Sequence, residues 1–469
     1  MAKRVKLTAL AMACGLAVTG SVVKADTLAD AMIGAYNTSG LLEQNRAVLR
    51  AADEDVAQAM AALRPVISWS ADATRQFGTS RSESTRNTIV PTVSNSVSAS
   101  LVAELTVFDS GQNKFALETA KEAVLGTRQQ LINVEQQVLL SAVEAHLEVR
   151  RAIENVALRE NNVRLIRQEL NAAQQRFEVG EVTRTDTSLA EARLAAARSQ
   201  LAAAEGSLTV AREQYLAIVG RLPNNLQPVQ SLPNLPDSVD AAKAIAVRAH
   251  PQIKSVQHRI SASELGILRA KAAMNPSVRL AGRLTVTEGV DSDRFSRGGS
   301  VGVEAGGPIY QGGRLTSLVR QAMANRDQAR GELHQAIDQV SQNVGNAYAQ
   351  LRIAAASLES TERQVRAATV AFRGVREEAE LGARTTLDVL NAEQELLNAR
   401  SARISAKVDQ DLAAYRVLST LGRLTASDLR LNVQQYDPIS YYNLVKDSPI
   451  QKSEQGQKLD RVLQSLGKN

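Results

Sequence analysis

Two spacings of apolar residues alternate along this chain of 469 residues. In four segments the apolar side chains recur at every second position, which is typical of β-strands with two different faces; these segments are about 66–77, 96–108, 277–287 and 300–309. After each pair of segments, apolar or small residues recur every seven positions in a tract without proline, as at Val124, Leu131, Val138, Ala145 and Ala152. This spacing predicts long coiled-coil helices, each on the order of 100 Å in length.

Shorter elements surround each predicted strand pair. A helical stretch precedes each pair, at about 28–63 and about 239–274, and is followed by Pro65 or Pro276, where an extended segment is expected to start. Polar segments at 78–95 and 288–300 separate the two strands of each pair, and we expect both to form loops.

The chain contains the same unit twice. The stretch "RFEVGEVTRTDTSLAEARL" at 176–194 returns as "EEAELGARTTLDVLNAEQEL" at 377–396, and the matching Gly, Thr and Asp residues are 202 positions apart. Such a duplication predicts tandem copies of one supersecondary unit. We therefore divide the chain into four parts after its N-terminal leader: a first repeat at 26–222, a proline-rich linker at 223–238, a second repeat at 239–425 and a C-terminal segment at 426–469.

The leader has the pattern of a cleaved signal peptide. Residues 1–25 combine a basic start, an apolar run from Leu7 to Val23 and a plausible cleavage site at Val23-Lys24-Ala25. Cys14, the single cysteine, lies inside the apolar run rather than at its end, so lipidation is not favoured. The leader carries four basic residues, and its removal lowers the formal net charge from +6 to +2. The basic balance therefore does not indicate nucleic-acid binding.

Four strands with one apolar and one polar face each are an incomplete structure in a membrane. After residue 25 no apolar run is long enough for a transmembrane helix, and spanning strands must close into a barrel of at least about eight strands. Copies of the chain would have to pool their strands. The polar faces would then line a water-filled lumen with Asp72, Glu104, Arg279, Arg283 and Glu304. Alternation alone is equally compatible with a soluble β-layer attached to helices.

The combined features resemble the TolC family of outer-membrane channel proteins. The most specific matches are "VGEVTRTDTSLAEARL" and "LGARTTLDVLNAEQELLNAR", supported by "VFDSG" at 107–111 and "IYQGG" at 309–313. The resemblance covers residues 26 to about 432 and implies an α+β membrane protein. Three subunits would form a twelve-stranded β-barrel in the outer membrane, continued by an α-helical barrel through the periplasm. The tail "YDPISYYNLVKD" at 436–447 is similar to that of members serving type I secretion.

This resemblance also implies a transport function without catalysis. Such proteins are passive exit ducts that pair with a periplasmic adaptor and an inner-membrane ABC or proton-driven transporter, in type I secretion or in tripartite efflux. Their cargo is chosen mainly by the pump, so the sequence does not identify it. No cofactor, metal or nucleic-acid partner is expected.

The two glycine-centred breaks are the candidate site. Locally, Thr183 with Asp186 and Thr385 with Asp388 have the spacing of helix N-terminal capping boxes, and Gly180 and Gly382 supply a turn before them. The resemblance adds that both breaks form the periplasmic entrance. It implies that Asp388 forms an acidic ring, weakened because Asn391 stands where an aspartate is usual. It assigns the closing contacts to three residues: Thr185, Asp186 and Arg384.

Other functional classes have less support. The four histidines are isolated in the sequence and lack ligand spacing, and no catalytic grouping or phosphate-binding loop is present. An enzyme is therefore not predicted. A periplasmic coiled-coil adaptor or scaffold is the alternative that would share the helices but lack lipid-facing strands. A general porin would need many more strands and no long helices.

Overall fold

The structure is a computed structural model that describes residues 26–81 and 83–465. The predicted signal peptide and Cys14 lie outside the described residues. The first half contains α1 (Leu28–Thr38), α2 (Gly40–Ala61), β1 (Val66–Ser80), β2 (Val90–Phe108), α3 (Gln112–Glu178) and α4 (Arg184–Val219). The second half contains α5 (Val239–Ala249), α6 (Pro251–Ala272), β3 (Ser277–Gly289), β4 (Phe295–Gly306), α7 (Arg314–Glu380), α8 (Thr386–Thr420), α9 (Pro438–Val445) and α10 (Glu454–Ser465).

The four strands form one antiparallel sheet in the order β1-β2-β3-β4. All four strands extend further into the predicted loops than the apolar alternation indicates, because backbone pairing does not require apolar side chains. The hairpin β1–β2 continues to the pair Ser80 and Val90, so half of the segment 78–95 is strand rather than loop. Similarly, β4 begins at Phe295 and ends at Gly306, not at 300 and 309.

Each face of this sheet has a distinct character. Directly paired residues lie on the same face, and the register pairs Asp72 with Ser98, Arg283 with Ser300 and Arg279 with Glu304. The opposite face is apolar and open, with large exposed side chains at Ile67, Trp69, Leu101, Leu284, Val301 and Val303. The single chain therefore leaves both faces of its sheet uncovered.

The long helices form two antiparallel pairs. Helices α3 and α7 each contain 67 residues, a length of about 100 Å at the usual helical rise. Helix α3 packs along α4, α7 packs along α8, and a further contact between α3 and α8 joins the pairs. The heptad residues Val124, Val138, Ala145 and Ala152 are buried, as the seven-residue spacing predicts. No helix in the described part of the chain is long and apolar enough to cross a membrane.

Each shorter helical stretch is broken in two, which the sequence interpretation missed. Ser39 leaves the helical conformation and its hydroxyl accepts a hydrogen bond from the Leu42 amide, so it caps α2. In the second copy His250 is extended and Pro251 opens α6. Proline has no amide hydrogen for a preceding turn and is well suited to a first helical position.

The main hydrophobic core lies halfway along the long helices. There α1, α3, α8 and the segment after α8 bury Met32, Leu139, Val143, Leu418 and Leu424 together. A second cluster joins α5 and α6 to the middle of α7 through Ile253 and Val344. Each large apolar side chain buried in this way contributes roughly 1.5–3 kcal/mol to folding. The short helices therefore form a belt around the midpoint of the rod.

The C-terminal segment is attached to this belt. The Tyr441 hydroxyl donates to Glu54 Oε1 over 2.7 Å, and Tyr441 and Val445 of α9 pack against Ala57 of α2. Arg64, just after α2, donates to the backbone carbonyl of Ser448. Residues after α8 thus belong to the folded body of the protein.

Gly220, at the C-terminal end of α4, allows a close contact with α1. Its φ is +81°, and an added Cβ would lie 2.7 Å from the Thr38 methyl carbon. We expect Gly220→Ala to lower the free energy of unfolding by about 1–3 kcal/mol, because it adds left-handed strain and a clash. Thermal unfolding followed by circular dichroism would measure this.

Gly206 provides the matched control for that substitution. It lies inside the same helix with open space around its Cβ position. Gly206→Ala should therefore raise the free energy of unfolding by up to about 1 kcal/mol. An unchanged unfolding temperature for Gly220→Ala would show that the Thr38 contact is not tight in solution.

Candidate channel entrance at the helix-hairpin tips

The two candidate tips are five-residue connections of similar geometry. Residues 179–183 join α3 to α4, and residues 381–385 join α7 to α8. Gly180 and Gly382 have φ values of +81° and +77°, which residues with a Cβ rarely adopt. The Gly180 amide donates to the Phe177 carbonyl and the Glu181 amide to the Arg176 carbonyl, and the second tip repeats this pattern. Each glycine therefore ends the incoming helix in a Schellman-type turn.

The outgoing helices both start with a reciprocal capping box. The Thr183 hydroxyl accepts from the Asp186 amide at 3.3 Å, while the Thr183 amide and hydroxyl donate to Asp186 Oδ2 at 2.9 and 2.7 Å. Thr385 and Asp388 make the same three bonds at 3.2, 3.0 and 2.8 Å. At each tip one threonine and one aspartate thus satisfy amides that a helix start leaves without partners.

These bonds also keep both aspartates ionised. The Thr183 hydroxyl and then its amide hold the pKa of Asp186 below the usual value of an aspartate. The Thr385 amide, then the Thr385 hydroxyl, lower the pKa of Asp388, and Arg384 contributes in the same direction. Hydrogen bonds to the charged form favour that form. Each tip therefore carries a permanent negative charge at neutral pH.

The structure brings the two tips together around one cleft of about 730 Å³. Asp186 and Thr183 line it from the first tip, and Gly382 and Arg384 line it from the second. Thr185, Asp388 and Asn391 are not among its lining residues. Only part of the predicted entrance set therefore lies around this cleft within a single chain.

Arg384 is already engaged within its own hairpin. Its Nε donates to Glu378 Oε2 over 2.8 Å, and both side chains are about half exposed. This bond raises the pKa of Arg384 further. An exposed ion pair of this kind contributes little to stability, so Arg384 can change partners readily.

Asn391 makes a contact that the sequence did not indicate. Its side-chain oxygen accepts a hydrogen bond from Arg193 of α4 over 3.1 Å. The residue therefore joins the second hairpin to the first. In this chain Asn391 therefore lacks the charge of an aspartate and also makes a contact between the hairpins.

The five predicted lumen residues lie on one face of the sheet. The Ser98 hydroxyl donates to Asp72 Oδ1 over 2.6 Å, and Arg279 lies opposite Glu304. Glu104 pairs with Val66 on one side and with Ala281 on the other, and Arg283 pairs with Ser300. Antiparallel pairing places all of them opposite the apolar face.

Two features near the tips were missed in the sequence. Val179 and Leu381 precede the two glycines and expose 72% and 86% of their surface, so each tip presents an apolar side chain to solvent. Glu393 is buried and bonded to Asn162 of α3. The 202-residue repeat could have indicated the first feature, whereas the burial of Glu393 has no signal in the sequence.

Comparisons with known proteins agree with this architecture. A family model described as outer membrane efflux protein matches residues 35–221 and 245–423. The outer membrane efflux protein BepC of Brucella suis is 34% identical over 444 residues, covering 94% of this chain and 95% of the relative. The alkaline protease secretion protein AprF of Pseudomonas aeruginosa is 26% identical over 305 residues, or 63% of each chain.

Solved structures support the same fold. The outer membrane protein VceC of Vibrio cholerae has a TM-score of 0.69 and 21% identity, and the match covers 84% of this chain and 96% of that one. The resemblance to the TolC family is thereby confirmed, and the channel interpretation is favoured over a periplasmic adaptor. The chain belongs to the outer membrane efflux protein family and is an outer-membrane channel protein that reaches into the periplasm, not an enzyme.

Proposed function

We propose that three copies of this chain form one passive channel, with a twelve-stranded barrel in the outer membrane and a helical barrel in the periplasm. The observation that carries this proposal is the open four-stranded sheet with an exposed apolar face. Its edge strands β1 and β4 have unpaired backbone groups on one side, which are unfavourable in lipid. Three such sheets joined edge to edge satisfy these groups and give a barrel of ordinary size.

In this arrangement the polar sheet face lines the lumen. Asp72, Glu104, Arg279, Arg283 and Glu304 then contact water, where charged side chains are favourable. The mixed signs of these charges give a lumen without a strong preference for anions or cations. The sheet is thus suited to a general exit rather than to an ion-selective pore.

The helix tips form the periplasmic entrance of the proposed channel. Asp388 contributes one negative charge per subunit to a ring, and Asn391 makes that ring less acidic than two aspartates would. Thr185, Asp186 and Arg384 hold the closed entrance. Because Arg384 is bonded to Glu378, a closing contact across the cleft or between subunits competes with that pair.

The duplicated organisation fits this duct. The first repeat at 26–222 and the second at 239–425 each supply two strands and one long helical hairpin. The linker at 223–238 connects them, and the segment 426–469, as far as the structure describes it, completes the central belt. Three subunits of two hairpins each provide six hairpins for the helical barrel. The small residues of the long helices allow them to pack side by side.

The proposed duct takes its cargo from an inner-membrane ABC or proton-driven transporter through a periplasmic adaptor. Between protein secretion and small-molecule efflux, the tail at 436–447 and the similarity to AprF favour type I secretion. Deletion of the gene in its host, followed by assays of secreted proteins and of drug susceptibility, would separate these two systems.

A crosslinking experiment tests the position of the partner. A photoreactive amino acid at the exposed tip residue Leu381 should capture the adaptor in intact cells, because the tip carries an apolar side chain free for docking. The same amino acid at Val301, which is 83% exposed on the apolar sheet face, should capture no periplasmic protein. Capture of the adaptor at both positions, or only at Val301, would contradict the proposed orientation.

A further inference from the structure

A buried carboxyl group links the two helical hairpins about two turns from the start of α8. Glu393 is only 4% exposed, as is Asn162 of α3. The Asn162 side-chain amide donates to Glu393 Oε1 over 2.9 Å, and Glu393 Oε2 has no hydrogen-bond partner among residues 26–81 and 83–465. A buried carboxylate oxygen without a partner is unfavourable when it is charged.

The surroundings of Glu393 provide little compensation for a charge. Apolar side chains of α8 on either side of it pack into the neighbouring helices: Leu390 against Ile166 and Leu194, and Leu397 against Leu158. These contacts exclude water from the α3–α8 interface and lower its effective dielectric constant.

Few charged groups face Glu393 from the helices packed against it. Glu169 of α3 and Arg376 of α7 are the nearest that influence it. Arg376 Nε lies 3.8 Å from Glu169 Oε1 and 3.5 Å from Glu380 Oε1, so its charge is shared between two other carboxylates. On α4, Arg193 is bonded to Asn391. No described residue forms an ion pair with Glu393.

This environment raises the pKa of Glu393 into the physiological pH range. Burial raises its pKa from 4.5 to about 7, and Glu169 acts in the same direction. The Asn162 hydrogen bond and Arg376 lower the pKa but do not cancel the effect of burial. The protonated form is therefore substantially populated at neutral pH while the interface is packed.

We propose that proton binding to Glu393 controls how tightly α8 packs against α3 and, through this contact, how wide the channel entrance is. The effect on the width of the entrance rests on the proposed entrance role of the tips. The packed state is fully favoured below the pKa of an exposed glutamate, near 4.5, and weakens as the pH rises through about 7. The entrance thus loosens with rising pH.

The repeat provides a natural control for this proposal. Glu191 is the equivalent residue of the first hairpin, 202 positions earlier, and it is exposed on α4. A proton bound at Glu191 has no packed interface to stabilise. The two residues have the same chemistry, the same distance from a capping box and different burial.

The experiment measures hydrogen exchange and channel opening on the purified full-length protein at pH 5 to 8. After correction for intrinsic rates, we expect amides near the start of α8 to exchange at least tenfold faster at pH 8 than at pH 5. Linkage to the pKa of Glu393 limits this ratio to the order of 100-fold. Glu393→Gln, which stays neutral, should remove most of this change. Glu191→Gln should retain it. In planar bilayers the open fraction of wild type should rise with pH, and that of Glu393→Gln should not.

The two measurements separate the proposals. Two results would overturn the role of Glu393. One is amide hydrogen exchange at α8 that does not depend on pH in wild type, and the other is the same pH dependence in wild type and in Glu393→Gln. A pH response in exchange that is lost in Glu393→Gln, combined with an open fraction that does not change with pH, would support the proton-controlled contact and overturn the entrance role of the tips. Asn162→Leu offers a second variant: it removes a bond that lowers the pKa, so loosening should shift to higher pH.

Discussion

Replacing Leu284 with arginine is expected to prevent stable insertion into the outer membrane. Leu284 lies in the middle of β3 on the apolar face, is 61% exposed and is paired with Leu101. An arginine facing lipid near the centre of a bilayer costs about 2–4 kcal/mol for each strand that carries it, and three subunits would carry it at once. Membrane fractionation should show most of Leu284→Arg lost from the outer membrane.

The adjacent Thr285 is the control for that substitution. It lies on the polar face, where its hydroxyl and that of Ser100 are 3.1 Å apart. Thr285→Arg introduces the same side chain on the same strand but directs it to the proposed lumen, opposite Gly298. The level of Thr285→Arg in the outer membrane should stay close to that of wild type. Equal loss of both variants, or normal insertion of Leu284→Arg, would contradict the assignment of the two faces.

Removal of the charge of Asp388 is expected to weaken the block of the channel by trivalent cations. Asp388 stays ionised because the hydrogen bonds from Thr385 lower its pKa, and in the proposed trimer three such charges surround the axis. Asp388→Asn removes them while keeping a side-chain oxygen for the capping bond. The cation concentration for half-maximal block in single-channel recordings should rise roughly tenfold or more, since attraction to three nearby charges is lost.

Asp186 allows the position of the charge to be separated from its capping role. It makes the same three hydrogen bonds with Thr183, yet it lines the cleft between the tips rather than the proposed ring. Asp186→Asn should leave the cation block within about twofold of wild type, because in the proposed trimer its charge lies outside the ring and is separated from the blocking cation by screening solvent. A similar loss of block in both variants would contradict the different roles of Asp186 and Asp388. An unchanged block in Asp388→Asn would contradict the proposed acidic ring.

Local sequence signals predicted the elements of the fold well where one residue determines the backbone. Gly180 and Gly382 marked the turns because few other residues accept a positive φ, and the Thr-x-x-Asp spacing marked both helix starts. The breaks at Ser39 and His250 were missed although Ser39-Gly40 and His250-Pro251 carry ordinary capping signals. Strand ends were also misjudged, because polar residues such as Thr79 continue the backbone ladder as well as apolar ones.

Contacts between distant segments could not be predicted from local sequence signals. The bond of Arg193 to Asn391 and the pair of Arg384 with Glu378 depend on how two helices rotate and slide against each other. Glu191 and Glu393 occupy equivalent places in the two repeats, yet one is exposed and the other is buried against Asn162. A duplicated pattern therefore does not imply duplicated surroundings.

The sequence by itself determined the duplication, the long helices, the two-faced strands and the position of both tips, because each depends on residue spacing or on a single backbone requirement. Only the tertiary structure decided which carboxyl group is buried at the α3–α8 contact, which tip residues share a cleft and how the four strands align their charged face. These properties arise from packing between segments as many as 231 positions apart, as for Asn162 and Glu393, and no local pattern specifies the depth at which two helices meet.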